Sequence, residues 1–340
     1  MKELYIVGLD LAKNVFQAHG ADKSGKPIFS KKLSRAKLLP FLESLPPTVV
    51  AMEACATAHY WAREINRLGH EAKLVPPVYV KPFVKRQKND AVDAEAIAEA
   101  ASRATMRFVA VKSSEQQGGC MAFKTRDLFV RQRTQTINAL RAHLAEHGLL
   151  AAKGIVHLKA LRELLQTKGQ DLPETVVSYS HMLLDQIVSL QEKIDELLKA
   201  INRTTEKEEV ATRLMAVPGI GPITASAILA FAPPPETFTK GRDFSAWLGL
   251  TPKQFSSGGK ERLGRTSKMG QRDIRRLLIT GAMTVVRWAK LRGAREGAWL
   301  QRMLDRKPSM LVAVALANKM ARIVWALLQT KESYREAAIG

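Results

Sequence analysis

Four acidic residues, Asp10, Glu53, Asp90 and Asp93, stand out in a chain that is otherwise strongly basic. Asp10 ends the apolar run Leu4-Tyr5-Ile6-Val7-Gly8-Leu9-Asp10, and Glu53 ends Thr48-Val49-Val50-Ala51-Met52-Glu53. Asp90 and Asp93 lie in Asn89-Asp90-Ala91-Val92-Asp93-Ala94-Glu95-Ala96-Ile97, which reads as the opening of a helix. Residues i and i+3 share a helix face. Two strand-borne and two helix-borne carboxylates can therefore converge on one point. Like charges packed that closely repel unless a cation sits between them. Hard oxygen donors select Mg²⁺ or Mn²⁺, and paired ions of that kind cut phosphodiesters. Taken singly, each acid has a plainer reading, as a strand end in water or a first-turn residue that suits the helix dipole. Four together in a basic chain favour a metal site.

The elements that would position these acids alternate between strand and helix signals. Strands are expected over 4–10, 15–20, 27–33, 48–53 and 71–75, and helices over 36–45, 59–68 and from 90 to about 103. Three strands in a meander followed by alternating helices and strands is the order of a ribonuclease-H-like α/β domain. The acids fall at the end of its first strand, on its fourth strand and on its final helix.

The chain has 340 residues, enough for two or three domains, and 46% of them are hydrophobic. Lys and Arg number 53 against 32 Asp and Glu, a net charge of +21. An excess of that size implies a polyanionic partner, most plausibly nucleic acid. No stretch approaches the roughly 18 uninterrupted apolar residues of a spanning helix, and the first residues lack a signal-peptide layout, so no membrane is expected. Cys55 and Cys120 form neither a disulfide framework nor a zinc spacing, which points to a reducing cytosol. The seven histidines are scattered, and no phosphate-cradling or dinucleotide glycine pattern is present.

Residues 114–148 read as one long helix carrying Lys124, Arg126, Arg131, Arg133 and Arg141. Few acids accompany them, so a phosphate-contacting face is expected in preference to a merely solvated one. Over 179–203 the apolar residues Leu183, Ile187, Leu190, Ile194, Leu197 and Ile201 follow a 4-3-4-3-4 spacing. Both a coiled-coil seam and the core stripe of a bundle helix fit that pattern.

The region 206–340 reads as a second, mostly helical domain. It opens with Val217-Pro218-Gly219-Ile220-Gly221-Pro222, where Gly219 and Gly221 permit a tight turn and Pro222 suits a first helical turn. Backbone N–H groups at such a helix start can hold a phosphate, as in a helix-hairpin-helix; a plain interhelical turn is the alternative. Between Glu236 and Met310 there are 17 Lys or Arg against 6 Asp or Glu, among them Lys260, Arg262, Arg265, Lys268 and Arg272. A serine of Ser256-Ser257-Gly258-Gly259 could attack a phosphate there, with the cations stabilising the developing charge. On composition alone a Ser/Gly loop in a basic surface is the favoured reading.

Gly8-Leu9-Asp10-Leu11-Ala12-Lys13, Met52-Glu53-Ala54 and Lys88-Asn89-Asp90-Ala91-Val92-Asp93-Ala94 resemble the DEDD tetrad of the insertion-sequence one-ten family of transposases. Pro76-Pro77-Val78-Tyr79-Val80-Lys81-Pro82-Phe83 resembles its eleven-eleven subgroup. Val217-Pro218-Gly219-Ile220-Gly221, and Ser257-Gly258 followed by Ser267-Lys268-Met269-Gly270, resemble the family's C-terminal transposase domain. The resemblance spans nearly the whole chain, with its motifs in order. It implies a RuvC-like DEDD catalytic domain over 1–150, a helical linker with a coiled coil over 151–205, and a C-terminal domain over 206–340 carrying a catalytic serine. By the same resemblance Asp10, Glu53, Asp90 and Asp93 would bind Mg²⁺ or Mn²⁺. The serine before the glycine, Ser257, would attack the phosphodiester, with Ser256 beside it. The implied activity is recombination that excises and inserts the element, acting on donor and target double-stranded DNA. Part of the family is guided by a structured non-coding RNA from the element. A homodimer or tetramer in a bacterial or archaeal cytoplasm, associated with the nucleoid, is the implied setting. The family's usual glycine soon after the glutamate is absent, since Glu53 is followed by Ala54-Cys55-Ala56-Thr57. Two other functions fit the residues: a resolvase-like endonuclease using metal-activated water, and a non-catalytic nucleic-acid-binding protein.

Overall fold

Strand β1, Ile6–Asp10, is the centre of the first part of the chain, with β2, Val15–Ala21, antiparallel on one side and β4, Val49–Glu53, parallel on the other. The outer strands are β3, Pro27–Ser34, antiparallel to β2, and β5, Glu71–Val75, parallel to β4. The order across the sheet is β3-β2-β1-β4-β5. The computed structural model describes residues 3–85, 89–293 and 299–334.

Side chains alternate across a strand, and each face of this sheet has its own core. Val7, Leu9, Val50 and Met52 are buried under helices α1, Arg35–Glu43, and α2, Ala58–Arg67. Ile6, Ala51 and Val75 lie on the opposite face with Ala96, Ile97 and Ala100 of α4. A short helix α3, Pro77–Val80, precedes α4, Asp90–Ala101. The side chain of Asn89 caps α4 by accepting a hydrogen bond from the Ala91 N–H at 2.9 Å, which satisfies one orphan donor of the first turn.

The contact pattern divides the chain into two units, Met1–Glu115 and Gln116–Gly340. The division falls at the start of α5, Ser114–Ala145, and Cys120 and Phe123 of α5 belong to the core of the second unit. That unit continues with α6, Leu158–Lys168, α7, Glu174–Glu206, α8, Glu209–Met215, α9, Pro222–Phe231, and α10, Gly241–Trp247. A two-stranded sheet follows, β6, Pro252–Gln254, antiparallel to β7, Leu263–Thr266. Helices α11, Arg272–Arg292, α12, Trp299–Leu304, and α13, Ser309–Thr330, complete it. The molecule thus joins a mixed α/β sheet unit to a mostly helical one. Helix α13 is long and apolar enough to cross a membrane by length and composition. Val312, Ala313, Ala317, Met320 and Val324 are instead buried in the core it shares with α10 and α11.

The 4-3-4-3-4 stripe of α7 is buried within its own chain. Ile187 and Leu184 pack with Ile137, Leu140 and Leu144 of α5, while Leu190, Ile194 and Ile201 are each no more than 5% exposed. Helix α7 runs antiparallel to α5, with Arg133 donating to Gln191 and the Lys193 ammonium over the Phe129 ring. The bundle-helix reading therefore accounts for the spacing.

Candidate active site

Leu9 of β1 stands opposite Met52 of β4, so Asp10 and Glu53 are the next residues on two neighbouring strands. Neighbouring strands lie about 4.8 Å apart, and residues at matched positions project to the same face. That face is the one α4 covers. Gly8, two residues before Asp10 and on the same face, touches α4 so closely that a Cβ there would lie 2.1 Å from the Ala94 carbonyl oxygen. The glycine lets the helix backbone rest directly on the strand. Asp90 lies one turn before Ala94 and Asp93 directly precedes it, so both belong to the first turn of the helix that rests on β1.

Electrostatics reports the same convergence. Burial raises the Asp10 carboxyl above its ordinary value, and the charges of Asp93, Asp90 and Glu53 raise it further, in that order, against a lowering hydrogen bond from the Leu11 backbone. An acid that feels three other acids has all of them nearby. The spacing is still open: among the described residues, no three His, Cys, Asp or Glu side chains stand close enough to share a metal ion. The donor set itself is all oxygen and fits a hard divalent cation.

Beyond Glu53 the chain turns through Ala54-Cys55-Ala56 into α2, and Thr57 takes a left-handed φ of 72°. This is the loop in which the expected glycine is missing. A β-branched residue there stores local strain, roughly 1–2 kcal/mol.

In the second unit, Ser257 sits at the tip of the β6–β7 hairpin. The Lys260 N–H donates to the Ser257 carbonyl at 3.1 Å, and Gly258 and Gly259 between them have φ of 56° and 76°. Two consecutive positive φ values define the two-residue turn that matches strand twist, and glycine adopts them without penalty. The two serines differ. The Ser256 hydroxyl accepts a hydrogen bond from the Arg262 N–H at 3.1 Å and so holds the hairpin together. The exposed Ser257 hydroxyl has no hydrogen-bond partner among the described residues. Lys260, Arg262, Arg265, Lys268 and Arg272 are exposed around the hairpin and its exit, and none has an ion-pair partner among the described residues. The hairpin base is fixed by a close backbone crossing. A Cβ on Gly270 would lie 1.9 Å from the Trp247 carbonyl, and Arg275 donates to the Leu248 carbonyl at 2.8 Å.

The chain is similar over nearly its whole length to known transposases. A family model described as a DEDD-type IS110 transposase matches residues 7–148, and one described as the transposase IS116/IS110/IS902 family matches residues 211–296. The chain is 47% identical over 331 residues to a protein of Pseudomonas aeruginosa described as a probable family 20 transposase, covering 97% of this chain and 98% of that one. It is 39% identical to the transposase for insertion sequence element IS1328 of Yersinia enterocolitica, covering 96% and 97% of the two chains. With the transposase for IS1111A of Coxiella burnetii the identity is 38%, over 98% and 92%. The chain belongs to the IS110 family of transposases. This transposase is of the DEDD type and is a DNA-processing enzyme. The first family model includes α5, although α5 packs with the second unit.

Not every residue expected to touch nucleic acid is free to do so. Lys124 pairs with Asp273 at 2.5 Å, Arg131 with Asp127 at 3.7 Å, and Arg141 donates to the Gly154 carbonyl at 2.8 Å. Arg126 and Arg133 are half-buried, each with its Nε enclosed. Lys124 and Arg131 remain exposed beside these contacts. Gly219 is turned inward: a Cβ on it would lie 2.9 Å from the Gly281 carbonyl of α11. Gly221, at the start of α9, is exposed with open space around it. Three residues that shape the site, Gly8, Asn89 and Thr57, were not singled out from sequence. A glycine inside an apolar strand and an Asn just before a helix were signals for the first two.

Proposed function

We propose that this transposase is a site-specific recombinase with a RuvC-like first unit. Asp10, Glu53, Asp90 and Asp93 would act through bound Mg²⁺ or Mn²⁺, and Ser257 would be the strand-attacking nucleophile. The observation that carries the proposal is the convergence of the four acids: two at adjacent ends of β1 and β4, two on the helix that Gly8 draws onto β1. The sheet order β3-β2-β1-β4-β5, with one antiparallel flank, supports the RuvC-like assignment. A divalent ion held by these carboxylates would polarise the phosphodiester and stabilise the leaving oxygen. The Ser257 oxygen would attack phosphorus while the 3′ or 5′ oxygen of the broken strand leaves with a proton, so the protein carries a phosphoserine ester to the next exchange. Lys260, Arg262 and Arg265 would offset the negative charge that builds on the phosphate. The free hydroxyl of Ser257, against the occupied one of Ser256, supports Ser257 as the attacking group.

The partners in this proposal are donor and target double-stranded DNA and a structured RNA from the element, in a cytoplasmic assembly of two or four copies. The helix-hairpin-helix reading of α8–α9 would rest on Gly221, the exposed glycine of the turn. Denaturing gels of the protein with its own element's ends and Mg²⁺ test the chemistry. A covalent protein–DNA adduct is expected from the wild type and Ser256→Ala and absent from Ser257→Ala. Cleavage that persists unchanged in Ser257→Ala would instead make the enzyme a metal-water endonuclease. RNA sequenced from the purified protein should map beside its gene; a random RNA population would remove the guide.

A further inference from the structure

A cavity of about 370 Å³ opens on the first unit, between α3 with its following turn and the chain leaving α4. It falls in the size range of pockets that hold small ligands. Two aromatic rings, Tyr79 and Phe83, and two guanidinium groups, Arg103 and Arg107, contribute to its lining together with Thr105, and no acid does. The acids described above lie in the first turn of α4, whereas Arg103 and Arg107 follow its last turn. At 1.5 Å per residue, twelve helical residues put roughly 18 Å between the two ends.

The groups differ in how they are engaged. The Arg103 guanidinium lies 5.6 Å from the centre of the Phe83 ring and is paired with Glu99 at 2.7 Å, so it forms part of a built wall. Tyr79 is 43% exposed, which is a large unpartnered aromatic surface for one side chain. Its hydroxyl has no hydrogen-bond partner among the described residues, and neither do exposed Arg107 and Thr105. An open aromatic face, an unpaired cation and a free hydroxyl in an acid-free cavity match a ligand that is flat, aromatic and anionic. A nucleotide has that chemistry. Inside a duplex its base faces are covered by neighbours, so only an unpaired nucleotide can offer one to a protein ring.

We propose that this cavity binds one unpaired nucleotide of a single-stranded segment, with its base against Tyr79 and its phosphate at Arg107. The inference rests on the nucleic-acid function above and adds a second contact to it. Because the cavity lies at the far end of α4 from the acids, the nucleotide held there is not the one being cut. It anchors a strand that has left its helix. Thr105 brings a hydroxyl to the same lining, and RNA and DNA strands are separable sources of the same chemistry.

The test uses the full-length protein with fluorescent twelve-residue oligonucleotides of uridine or thymidine, and a duplex of equal length, at one fixed salt concentration. Tyr79→Ala and Arg107→Gln should each weaken single-strand binding about tenfold. Tyr79→Phe should bind like the wild type, and duplex affinity should stay within about twofold for all three, with unchanged melting temperatures. An oligonucleotide carrying 5-iodouracil should cross-link to Tyr79. Tighter binding of the uridine strand over the thymidine strand assigns the occupant to RNA, and the reverse to DNA. Unchanged single-strand affinity in Tyr79→Ala, or an equal loss for single strand and duplex, overturns the proposal. The control Asp10→Asn separates the two readings: cleavage retained in that variant sinks the proposed chemistry, whatever the cavity binds.

Discussion

Asp10 and Glu53 extend from strands whose preceding residues, Leu9 and Met52, are fully buried, whereas every residue from Pro252 to Leu263 around Ser257 is exposed. The two regions hold their chemical groups by different means. Each carboxylate is fixed by a sheet or a helix, and the two are brought together by a glycine contact inside a core. The serine is carried on a hairpin whose shape comes from two left-handed glycines and one side-chain hydrogen bond. The difference matches what the proposed function would ask of each group. Carboxylates that share a cation need fixed mutual spacing, which only a packed core supplies. A nucleophile that must enter a DNA backbone needs reach, and a packed core would deny it.

The largest expected effect is on the acid side. Asp10→Asn should lower strand cleavage by about a thousandfold or more, and chelation of divalent cations should do the same to the wild type while duplex binding survives. The folded Asp10 carboxyl is raised above its unfolded value, so ionising it opposes folding. The wild type should therefore lose stability as pH rises through the carboxylate range, and Asp10→Asn should not. Melting curves of the two proteins from pH 3 to pH 8 should diverge upwards in pH; parallel curves would mean that neither burial nor the neighbouring acids raise the Asp10 carboxyl.

Gly8→Ala tests whether the helix contact positions the acids. The added methyl would meet the Ala94 backbone at 2.1 Å, so α4 must move. A loss of about 1–3 kcal/mol in stability and a drop in cleavage of about 10- to 100-fold are expected, read by denaturant melts and gel assays. Full activity would show that Asp90 and Asp93 need no close seat on β1. On the serine side, Gly258→Ala meets no atom within 4 Å and carries only backbone strain, about 1–2 kcal/mol confined to the hairpin. Adduct formation should fall about tenfold while the melting temperature shifts by less than about 2 °C. A large fall in melting temperature would mean that the hairpin is part of the core after all. The smallest effect is expected from Thr57→Gly, which relieves a left-handed φ of 72° and should stabilise the protein by about 0.5–1 kcal/mol in a denaturant melt.

The sheet was legible because its strands carry unmixed signals. The expected 71–75 strand matches β5, and the expected helices of the first unit differ from α1, α2 and α4 by one or two residues at their ends. The α7 stripe was legible as a stripe but not as to its partner. A period of 3.5 residues says that one face is buried and is silent on whether the covering helix belongs to the same chain. The partners of the α5 cations were not legible for a related reason: charge is counted along the sequence, while Asp273 and Gln191, which engage Lys124 and Arg133, come from helices 149 and 58 residues away.

The sequence by itself singled out the candidate residues: four acids at strand and helix ends, a serine before two glycines, and a surplus of cations around it. These follow from local patterns, since strand alternation, helix periodicity and turn preference act over a few residues. The tertiary structure alone decided that Gly8 seats α4 on β1, that Ser256 rather than Ser257 is occupied, and which groups of the same chain the α5 cations meet. Each of these depends on which distant backbone or side chain comes to lie within a few ångströms, and close packing sets that for the fold as a whole.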